Sequence, residues 1–592
     1  MSNTVAMIDG QSVSVAPGTT ILEAARLLGR RIPTLCYLEG VQAIGACRVC
    51  LVEVQGARTL VPSCVTPVTE GMQISTNTRR VRDARRTVVE LLLSDHDGDC
   101  PTCDRNDDCE LQALARELGI RDIRYPGEKS RKIVDQSTPA LVRDTSKCVL
   151  CRRCATVCNE TQGVGALFPQ NRGFETVIGP AFCGDLDTVA CVQCGQCAAV
   201  CPVGAISEKD QIDEVWAALD TPEKHVVVQT APAIRAALGE CFGYPPGTLV
   251  TGKMVSALRR LGFDAVFDTN VAADLTILEE GTELLMRLKR ALVDRKPVAL
   301  PLFTSCSPGW IKAAEYFHHD ILPNISTCKS PQQMFGALAK TYYAKKLGKC
   351  AEDIFVVSIM PCTAKKFEAQ RAEMNDSGVR DVDVVLTTRE LGRMIKQAGI
   401  DFASLPDDAM DSPLGLSSGA ADIFANTGGV MEAALRTVYE IVTGRPLPFA
   451  NLHVKPIAGL QGIKEASLEI SGTVPQWSFL EGVTLRVAVA HGLGNARKVI
   501  RRIEAREAEY HFVEIMTCPG GCIGGGGQPR MTTDQVRKAR IAAIYREDQS
   551  KDMRKSHENP QVTQLYEEFL GKPLGDRSHH LLHTRYQTRE RV

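Results

Sequence analysis

The stretch EIMTCPGGCIGGGGQP, residues 514–529, follows the apolar end of a predicted β-strand and carries Cys518 and Cys522 around a Pro-Gly-Gly turn. Four consecutive glycines, 524–527, come next. A glycine run costs conformational entropy and favours neither helix nor strand, so a chain keeps one where the backbone bends sharply or is approached closely. Beside two cysteines, the approaching group is predicted to be a metal cofactor.

Two further cysteine-bearing segments lie at predicted strand ends, FTSCSPGW at 303–310 and IMPCTAKKFE at 359–368. From about residue 210, helices rich in Ala, Leu and Arg alternate with the apolar strands HVVVQTA, AVFDTN, PVALPLF, IFVVSIM, DVVLTT and LRVAVAHG. This alternation predicts an α/β architecture with parallel sheet segments. Ligands bind at strand ends in such sheets, so the three segments are candidates for a ligand site.

The whole chain has 592 residues, 23 cysteines and a formal net charge of −1. This charge balance gives no case for nucleic acid or an anionic membrane as the main partner. The chain has no apolar run long enough to span a bilayer and no apolar stretch of a signal peptide, so we expect a cytoplasmic protein with no membrane span. Cysteines in such a protein are more often metal ligands than disulfides.

The first cysteine group has the spacing C-x10-C-x2-C-x13-C. Strands are predicted at 3–12 and 49–55, with an amphipathic helix in TTILEAARLLG between them. Four thiolates in the loops of such a β-grasp, ferredoxin-like module suit a [2Fe–2S] cluster, and a zinc site is the alternative. The predicted ligands are Cys36, Cys47, Cys50 and Cys64.

A basic helix, RRVRDARRTVVELLLSDH, leads into the stretch HDGDCPTCDRNDDC. Its spacing, H-x3-C-x2-C-x5-C, can present one imidazole and three thiolates to a single metal centre, and zinc can use the same set. The position between two iron–sulfur modules favours a [4Fe–4S] cluster. The predicted ligands are His96, Cys100, Cys103 and Cys109.

CVLCRRCATVC at 148–158 and CVQCGQCAAVCP at 191–202 form an internal repeat. It is the doubled C-x2-C-x2-C-x3-C run of bacterial ferredoxins, in which the fourth cysteine of each run ligates the other cluster. Crossed ligands hold two clusters close together, so that electrons pass between them. The predicted ligands are Cys148, Cys151, Cys154 and Cys201 for one [4Fe–4S] cluster, and Cys158, Cys191, Cys194 and Cys197 for the other.

The segments at 303–310, 359–368 and 514–529 closely resemble the three signature segments of [FeFe] hydrogenases, and the upstream iron–sulfur modules match the longer members of that family. The resemblance covers nearly the whole chain. It implies a multidomain α+β and α/β protein with four parts: a [2Fe–2S] domain at 1–78, a histidine-and-cysteine [4Fe–4S] domain at 79–138, a two-cluster ferredoxin-like domain at 139–209, and an H-cluster catalytic domain with a helical tail at 210–592.

By this resemblance, the active centre is an H-cluster, a [4Fe–4S] cubane joined through one cysteine sulfur to a diiron unit with CO, CN⁻ and azadithiolate ligands. Cys362, Cys518 and Cys522 are implied as cubane ligands, with Cys522 as the bridge. Lys365 is implied as the donor of a charge-assisted hydrogen bond to a cyanide. The residues implied as the wall of the diiron unit are Pro232, Gln332, Met360 and Met516, for each of which ordinary core packing is the alternative.

The stretch LEEGTELLMRL, residues 278–288, places Glu280, Glu283 and Arg287 at positions i, i+3 and i+7 of one helix face. The family resemblance implies a proton relay here, running from Arg287 near the surface through Glu283, Ser326 and Glu280 to a thiol beside the diiron unit. An exposed, ion-paired helix face is the alternative, because buried carboxylates without compensation are costly.

This sequence departs from the family pattern at one pair of residues. Standard [FeFe] hydrogenases carry two adjacent cysteines in the first segment, a proton-transfer thiol and then the fourth cubane ligand, whereas this chain has Cys306 and Ser307. A hydroxyl is far harder to deprotonate than a thiol of pKa about 8.5. Ser307 could bind iron as an alkoxide, Cys306 could become the ligand while Ser307 or water carries protons, or the cubane could be labile. We favour Cys306 as the ligand, with Cys328 a further donor if the fold brings it near.

The accessory modules resemble the large iron–sulfur subunit of NADH dehydrogenases, and the chain has neither a Rossmann fingerprint nor a P-loop. The resemblance therefore implies electron exchange with flavin- and NAD(P)-binding and thioredoxin-like [2Fe–2S] subunits, with or without ferredoxin, and H-cluster delivery by maturases. The substrates are H₂ and protons. The implied cofactors are one [2Fe–2S] cluster, three accessory [4Fe–4S] clusters and the H-cluster.

Three alternative functions are compatible with the sequence. They are a stand-alone ferredoxin-linked hydrogenase, a low-activity or sensory H-cluster protein, and an iron–sulfur electron-transfer subunit of a dehydrogenase. The last would share residues 1–210 but not the three later segments. The residues do not decide between NAD, NADP and ferredoxin as the electron partner.

Overall fold

The computed structural model describes residues 3–130, 132–530 and 532–590. Its first module consists of strands β1 (Thr4–Ile8), β2 (Gln11–Val15), β3 (Leu51–Val54), β4 (Val61–Pro62) and β5 (Gln73–Ser75), with helix α1 (Ile21–Leu27). The strands form one sheet in the order β2-β1-β5-β3-β4, and the apolar face of α1 packs on it. This is the ferredoxin-like arrangement that the sequence predicts.

The predicted strand at 3–12 is instead a hairpin. The chain turns at Asp9 and Gly10, which both have positive φ angles, 48° and 79°, and β1 pairs antiparallel with β2. An Asp-Gly pair readily adopts the left-handed conformation that a two-residue hairpin turn requires. Helix α1 begins after Thr20, whose side chain accepts from the Glu23 N–H while the Glu23 carboxylate accepts from the Thr20 N–H at 2.8 Å. This reciprocal pair is a capping box.

The second and third modules carry the remaining accessory cysteines on short elements. Helices α2 (Arg79–Asp95) and α3 (Glu110–Glu117) flank the loop that follows His96, and helices α4 (Arg153–Thr156) and α5 (Gln196–Val200) begin inside the two cysteine runs. The strands are β6 (Val134–Asp135), β7 (Leu141–Asp144), β8 (Phe168–Gln170), β9 (Val177–Gly179) and β10 (Ile206–Glu208). Strands β10, β7 and β6 form one antiparallel sheet, and β8 pairs with β9.

The large domain contains two four-stranded sheets. Its strands are β11 (His225–Thr230), β12 (Ala265–Asp268), β13 (Leu302–Phe303), β14 (Ile354–Met360), β15 (Val384–Thr387), β16 (Ile463–Glu469), β17 (Thr484–His491) and β18 (Phe512–Met516). The first sheet, β12-β11-β14-β15, is parallel throughout, and the second, β13-β18-β17-β16, is parallel except for the edge strand β16. The carboxyl ends of parallel strands share one edge of a sheet, where loops can build a site.

All six strands predicted for this domain are present, but PVALPLF contributes only Leu302–Phe303. Pro297 and Pro301 lack the N–H that a sheet ladder needs, which limits this strand to two residues. Strand β16 was not predicted, because its polar sequence, IKEASLE, has no apolar run. Its pairing with β17 over seven residues makes it an edge strand with one solvated side.

The helices of the large domain cover both sheets and continue into a tail that packs on the longest of them. They are α6 (Ile212–Leu219), α7 (Thr251–Leu261), α8 (Asn270–Leu292), α9 (Pro308–Phe317), α10 (Pro331–Leu338), α11 (Ala344–Leu347), α12 (Ala364–Ala369), α13 (Thr388–Gln397), α14 (Gly419–Asp422), α15 (Gly429–Thr443), α16 (Leu493–Glu504), α17 (Asp534–Ser550), α18 (Pro560–Leu565) and α19 (Asp576–Leu582). Tail residues Asn559 and Tyr566 donate hydrogen bonds to Asp274 and Glu279 of α8, at 2.9 and 2.6 Å. Among the described residues, none of the helices has the length and apolar character needed to cross a bilayer.

Candidate active site and cluster-binding modules

Cysteine-bearing loops from the two sheets converge on one site. Strand β14 leads into Cys362, and β18 leads into Cys518 and Cys522. Burial, and then the neighbouring Cys362, raises the pKa of Cys518 well above its ordinary value and that of Cys522 to about 12. Both thiols therefore lie close to Cys362, although β14 and β18 belong to different sheets.

The glycine run at 524–527 packs against other parts of the chain. A Cβ atom on Gly525 would overlap the carbonyl oxygen of Pro361, and one on Gly526 would overlap that of Cys194. The Gly527 N–H donates to the Pro361 carbonyl at 2.8 Å. The sequence suggested that the glycines make room for a non-protein group. The structure gives a different reason, the close approach of three backbone segments.

The three converging cysteines form a donor set that fits an iron–sulfur cluster. Their raised pKa values show that these buried thiols ionise at a high cost without a cation. A bound metal removes that cost, because a coordinating thiol is deprotonated outright.

Unpartnered polar atoms in the same region support this fit. Among the described residues, the buried Gln332 Oε1 and both side-chain polar atoms of Asn426 have no hydrogen-bond partner. Asn426 adjoins the cysteine loop, since a Cβ on Gly521 would lie 2.8 Å from its carbonyl carbon. Orphaned buried polar atoms call for a missing partner, such as a water or a bound group.

Lys365 lies beside this site, on α12 just after Cys362. Its Nζ donates to Glu368 Oε2 at 2.7 Å and to the Cys306 carbonyl at 3.2 Å, and its charge opposes the rise in the pKa of Cys522. The four predicted wall residues are buried at element ends around the site: Pro232 after β11, Gln332 at the start of α10, Met360 at the end of β14 and Met516 at the end of β18.

The five residues of the predicted proton relay form a connected chain of contacts. Arg287 Nη2 donates to Glu283 Oε1 at 2.7 Å, and Ser326 Oγ donates to Glu283 Oε2 at 3.0 Å. Ser326 also opposes the rise in the pKa of Glu280, which burial and then the charge of Glu283 raise to about 8. Glu280 in turn adds to the effect of burial in raising the pKa of Cys306. Both carboxylates are buried, which excludes an exposed, ion-paired helix face.

Cys306 and Ser307 face different neighbours. The groups that shift the pKa of the buried Cys306 thiol are Glu280, Cys522, Lys365 and Glu514. Ser307 Oγ lies 2.8 Å from Thr517 Oγ1 and accepts from the Thr517 N–H at 3.3 Å, one residue before Cys518. Cys306 therefore stands on the relay side of the site, and Ser307 stands on the side of Cys518.

The two cysteine sets of the ferredoxin-like module enclose separate cavities. The cavity of ≈ 390 Å³ is lined by Cys148, Cys151, Cys154 and Cys201. The cavity of ≈ 370 Å³ is lined by Cys158, Cys191, Cys194 and Cys197. Each takes three cysteines from one run and the fourth from the other, which is the crossed arrangement expected from the repeat.

The second of these cavities adjoins the site in the large domain. Thr363 Oγ1 donates to the Gln193 carbonyl at 2.7 Å, and Gln196 Nε2 donates to the Gly524 carbonyl at 3.0 Å. Cys194 contributes to the raised pKa of Cys518, so these two thiols are also neighbours. A cluster in the second cavity would thus lie next to the converging cysteines.

The four N-terminal cysteines also form one group. The Cys36 N–H donates to Cys47 Sγ at 3.4 Å, and the Sγ atoms of Cys50 and Cys64 lie 3.4 Å apart. The Cys47 N–H donates to Cys36 Sγ at 3.5 Å as well. Four buried sulfur atoms in such proximity form a donor set that fits a [2Fe–2S] cluster.

The histidine-and-cysteine loop packs against the ferredoxin-like module. A Cβ on Gly204 would lie 2.6 Å from Cys103 Sγ, and Arg105 Nη1 donates to the Cys201 carbonyl at 2.9 Å. His96 Nδ1 is buried and, among the described residues, has no hydrogen-bond partner, as expected of a nitrogen reserved for a metal. Burial raises the pKa of Cys109, while the structure leaves Cys100 and Cys103 partly exposed.

The sequence did not reveal several residues that orient these groups. Glu368 lies three residues after Lys365, the spacing at which helical side chains meet, so this partner could have been found. Nothing local connects the tail residue His583 with Glu283, yet the fold places them together with Cys328. Cys328, named above as a further cubane donor, thus faces the proton relay.

Comparison with known families gives matches to five models. The model "Iron only hydrogenase large subunit, C-terminal domain" matches residues 224–526, and "Iron hydrogenase small subunit" matches 534–589. The accessory modules match a 2Fe-2S iron-sulfur cluster binding domain at 3–79, an NADH-ubiquinone oxidoreductase-G iron-sulfur binding region at 85–124 and a 4Fe-4S dicluster domain at 147–205.

Individual relatives extend over the whole chain. It is 52% identical to the NADP-reducing hydrogenase subunit HndD of Solidesulfovibrio fructosivorans, over 100% of both chains. It is 41% identical to iron hydrogenase 1 of Clostridium pasteurianum, over 98% of this chain and 99% of that protein. The solved structure of an apo [FeFe]-hydrogenase from Chlamydomonas reinhardtii aligns with a TM-score of 0.57 at 46% identity, covering 64% of this chain and 98% of that one.

Proposed function

The chain belongs to the [FeFe] hydrogenase family, and from this membership we propose that it is the hydrogen-converting subunit of a multimeric, NADP-linked enzyme. As a member of that family it catalyses the oxidation of H₂ and the reduction of protons, with electrons relayed through accessory iron–sulfur modules. The observation that carries the proposal is a single site with a ferredoxin cavity on one side and a carboxylate relay on the other.

Cys362, Cys518 and Cys522 would hold the cubane of the H-cluster, and Cys522 would link it to the diiron unit. When bound, this group supplies the iron at which H₂ is split or formed. Lys365 would place its charge beside the bound group, held there by Glu368. The buried Pro232, Gln332, Met360 and Met516 would exclude water around it.

We infer that Cys306 is the relay thiol and that Ser307 occupies the position of the fourth cubane ligand. This reverses the preference drawn from the sequence alone. It is supported by the orientation of the two residues, since Glu280 acts on the Cys306 thiol and Thr517 holds the Ser307 hydroxyl. Glu280, with a pKa near 8, would carry protons between Cys306 and Glu283.

Electrons would leave the site through the cluster bound by Cys158, Cys191, Cys194 and Cys197, and then through the one bound by Cys148, Cys151, Cys154 and Cys201. The histidine-and-cysteine loop and the N-terminal [2Fe–2S] module would complete the accessory set. We propose domain boundaries at 78, 138 and 209, as the sequence indicates.

The partners proposed for this chain follow from its relatives. A full-length relative is an NADP-reducing hydrogenase subunit, so NADP is the electron partner that we extend to this chain. Separate flavin-bearing and thioredoxin-like [2Fe–2S] subunits would handle the nucleotide in the cytoplasm, with ferredoxin as an additional partner. Maturases would supply the H-cluster.

Infrared spectroscopy and turnover together test this function. Matured protein is expected to show CO and CN⁻ stretching bands and to oxidise H₂ with an artificial acceptor, while NADP⁺ reduction requires co-purified partner subunits. A spectrum without these bands would contradict the H-cluster. Bands with negligible turnover would indicate a sensor, and ferredoxin reduction by the isolated chain without any NADP⁺ activity would indicate a stand-alone enzyme.

A further inference from the structure

The relay reaches the surface at a residue that can neither take up nor release a proton. Arg287 pairs with Glu283, and its guanidinium stays protonated at any working pH. The Ser326 hydroxyl, another partner of Glu283, can pass a proton on but cannot store one. Glu283 would therefore benefit from a neighbour that titrates near neutral pH, which is the range of an imidazole.

His583 places an imidazole beside Glu283. Its Nδ1 lies 2.8 Å from Thr327 Oγ1, which lies 3.3 Å from Glu283 Oε2. The His583 nitrogen and the Glu283 carboxylate oxygen are within 4.8 Å of each other. The Thr327 hydroxyl thus bridges the carboxylate and the ring.

Glu279 sets the orientation of that ring. The Nε2 of His583 lies 3.1 Å from Glu279 Oε2, and both side chains are buried. The hydroxyl of Tyr566 and the N–H of Leu574 donate to the same carboxylate, at 2.6 and 2.8 Å. With Nε2–H donated to Glu279, Nδ1 is left as the acceptor that faces Thr327.

Backbone pairing holds the tail in this position. Residue 583 forms a β-bridge with residue 328. The Lys329 N–H donates to the Leu582 carbonyl at 2.8 Å, and the Thr584 N–H donates to the Thr327 carbonyl at 2.7 Å. The contact between tail and relay is therefore fixed on both sides of the imidazole.

Of the other groups near His583, Cys328, Tyr566 and Arg585 keep their protons near neutral pH. Burial raises the pKa values of Cys328 and Tyr566 well above their ordinary range, so both remain protonated near neutral pH. The exposed Arg585 carries a fixed charge. The exposed His579 stacks on His583 with ring centroids 4.8 Å apart, and because exposed side chains rotate within nanoseconds, it can uncover the ring to water.

We propose that His583 is a proton-transfer residue and forms a second branch of the relay at Glu283. During H₂ oxidation, the Glu283 carboxyl gives its proton to Thr327 Oγ1 while that hydroxyl gives its own proton to His583 Nδ1. The resulting imidazolium is paired with Glu279 and loses a proton to water on the side of His579. Proton reduction reverses these steps, and no electrons move in them. The inference rests on the relay proposed above, because Glu283 belongs to both branches.

Turnover of two matched variants tests the branch. His583→Asn keeps a polar group near the position of Nδ1 but cannot hold the proton, so H₂ turnover is expected to fall about tenfold, which is less than the 10²- to 10⁴-fold typical of a lost proton-transfer group because the first branch remains. The solvent deuterium isotope effect should rise, while accessory-cluster reduction and Tm stay unchanged. His580→Asn, an exposed site on helix α19, which ends just before His583, should behave as wild type. Wild-type turnover and isotope effect in His583→Asn would overturn the branch.

A second measurement needs no active enzyme. In protein produced without the H-cluster, NMR of isotope-labelled histidines should show His583 with Nδ1 as the acceptor. Its Nε2 signal should shift in Glu279→Gln, because the carboxylate that faces Nε2 is replaced by an amide. A His583 signal unaffected by both Glu279→Gln and Glu283→Gln would contradict the network. Normal turnover in Glu283→Gln would overturn the whole relay, whereas normal turnover in His583→Asn alone would overturn only the branch.

Discussion

At positions 306 and 307, the chain has one sulfur atom where [FeFe] hydrogenases of the standard pattern have two. Glu280 contributes to the raised pKa of the Cys306 thiol, and the Ser307 hydroxyl lies 2.8 Å from Thr517 Oγ1, next to Cys518. With the assignment proposed above, the order of the two roles along the chain would be preserved, and the alcohol would stand at the ligand position. An alcohol binds iron less tightly than a thiolate does, so a cubane with three cysteine ligands and one oxygen ligand would lose iron more easily.

Cys306→Ala should therefore abolish H₂ turnover while the cubane signal remains in electron paramagnetic resonance spectra, because the variant removes a proton carrier and not a ligand. Ser307→Cys should keep turnover and slow the loss of iron, since a thiolate binds iron more tightly than a hydroxyl does. Loss of the cubane in Cys306→Ala would instead assign the ligand role to Cys306, as the sequence alone favours.

Glu283→Gln should reduce H₂ turnover by about 10²- to 10⁴-fold, the usual range for a lost proton-transfer group, while the clusters remain reducible. Glutamine keeps the shape of the side chain and its contact with Ser326 but cannot release a proton. Lys289→Gln, an exposed site on the same helix, is the control and should leave turnover unchanged. Turnover that is equal in both variants would show that protons take another route.

The glycine run after β18 lies between the second ferredoxin cavity and the cysteine site of the large domain. Gly525 and Gly526 let the cysteine loop pack against the backbone of Pro361 and Cys194. A side chain at either position would have to displace a backbone carbonyl, which no rotamer change can relieve. The spacing between the second ferredoxin cavity and the converging cysteines thus depends on residues that carry no chemistry themselves.

Gly526→Ala should separate these two sites and slow electron flow between them, with a loss of stability of about 1–3 kcal/mol from overpacking. H₂ oxidation coupled to an artificial acceptor should fall, whereas H₂/D₂ exchange, which needs no accessory cluster, should persist. Gly127→Ala is the control, because a Cβ there meets nothing within 4 Å. An equal fall of both activities would mean that the variant damages the site itself.

Helix α8 and the tail are joined through a buried acid. Asp274 Oδ2 accepts from Asn559 at 2.9 Å, and burial raises the pKa of Asp274 from 3.8 to about 6 against the opposing effect of its hydrogen bonds. An acid with a raised folded pKa binds its proton more tightly in the native state. The free energy of unfolding therefore decreases as the pH rises from about 4 to about 6, and this dependence ends above that range.

Asp274→Asn should remove this pH dependence, which is worth at most about 3 kcal/mol. The measurement is Tm between pH 4.5 and 7.5 under anaerobic conditions, compared with Asp294→Asn, a change at an exposed aspartate just beyond the same helix. If both variants keep the wild-type slope, another group controls the acid sensitivity of this domain.

Some elements could be predicted from the sequence pattern, and others could not. The strands of the large domain and the cysteine repeat were predictable, because apolar runs and metal-ligand spacings are local. The hairpin at Asp9 and Gly10, the polar edge strand β16 and the contact of His583 with the relay were not, since each depends on pairing with distant residues. The directions of Cys306 and Ser307 likewise depend on Thr517, about two hundred residues further along the chain.

The predicted cluster sites are built from segments that belong to different cysteine runs or different sheets. The two ferredoxin cavities take cysteines from both runs, and the cysteine site of the large domain takes loops from two sheets. Two of the N-terminal cysteines, Cys36 and Cys47, pack in one apolar cluster with cysteines of the ferredoxin-like module. Because metal binding supplies folding free energy where ligands come from different segments, loading and stability should be linked throughout the chain.

Metal analysis of the fully loaded chain tests the cluster assignments. One [2Fe–2S] cluster, three accessory [4Fe–4S] clusters and the H-cluster predict about 20 iron atoms per chain. The set of His96, Cys100, Cys103 and Cys109 is the one at which zinc competes, because zinc accepts the same donors. We expect no stoichiometric zinc and a loss of about four iron atoms in His96→Ala, since a cluster with three cysteines and an exposed fourth iron is readily lost.

Cys350→Ala is the control, because this exposed cysteine lies outside all the predicted sets and its replacement should leave the iron content unchanged. One zinc and about 16 iron atoms in the wild-type chain would show that the second module is a structural zinc site. In that case the path for electrons between the [2Fe–2S] module and the ferredoxin cavities would have to bypass it.

The N-terminal cysteine group provides such a route, since Gln42 Nε2 donates both to the Cys36 carbonyl at 2.7 Å and to the Cys151 carbonyl at 2.9 Å. In a chain with the full iron content, slower reduction of the [2Fe–2S] cluster by H₂ in Gln42→Ala would show that this direct contact carries electrons, and a wild-type rate would leave the histidine-and-cysteine cluster as the carrier.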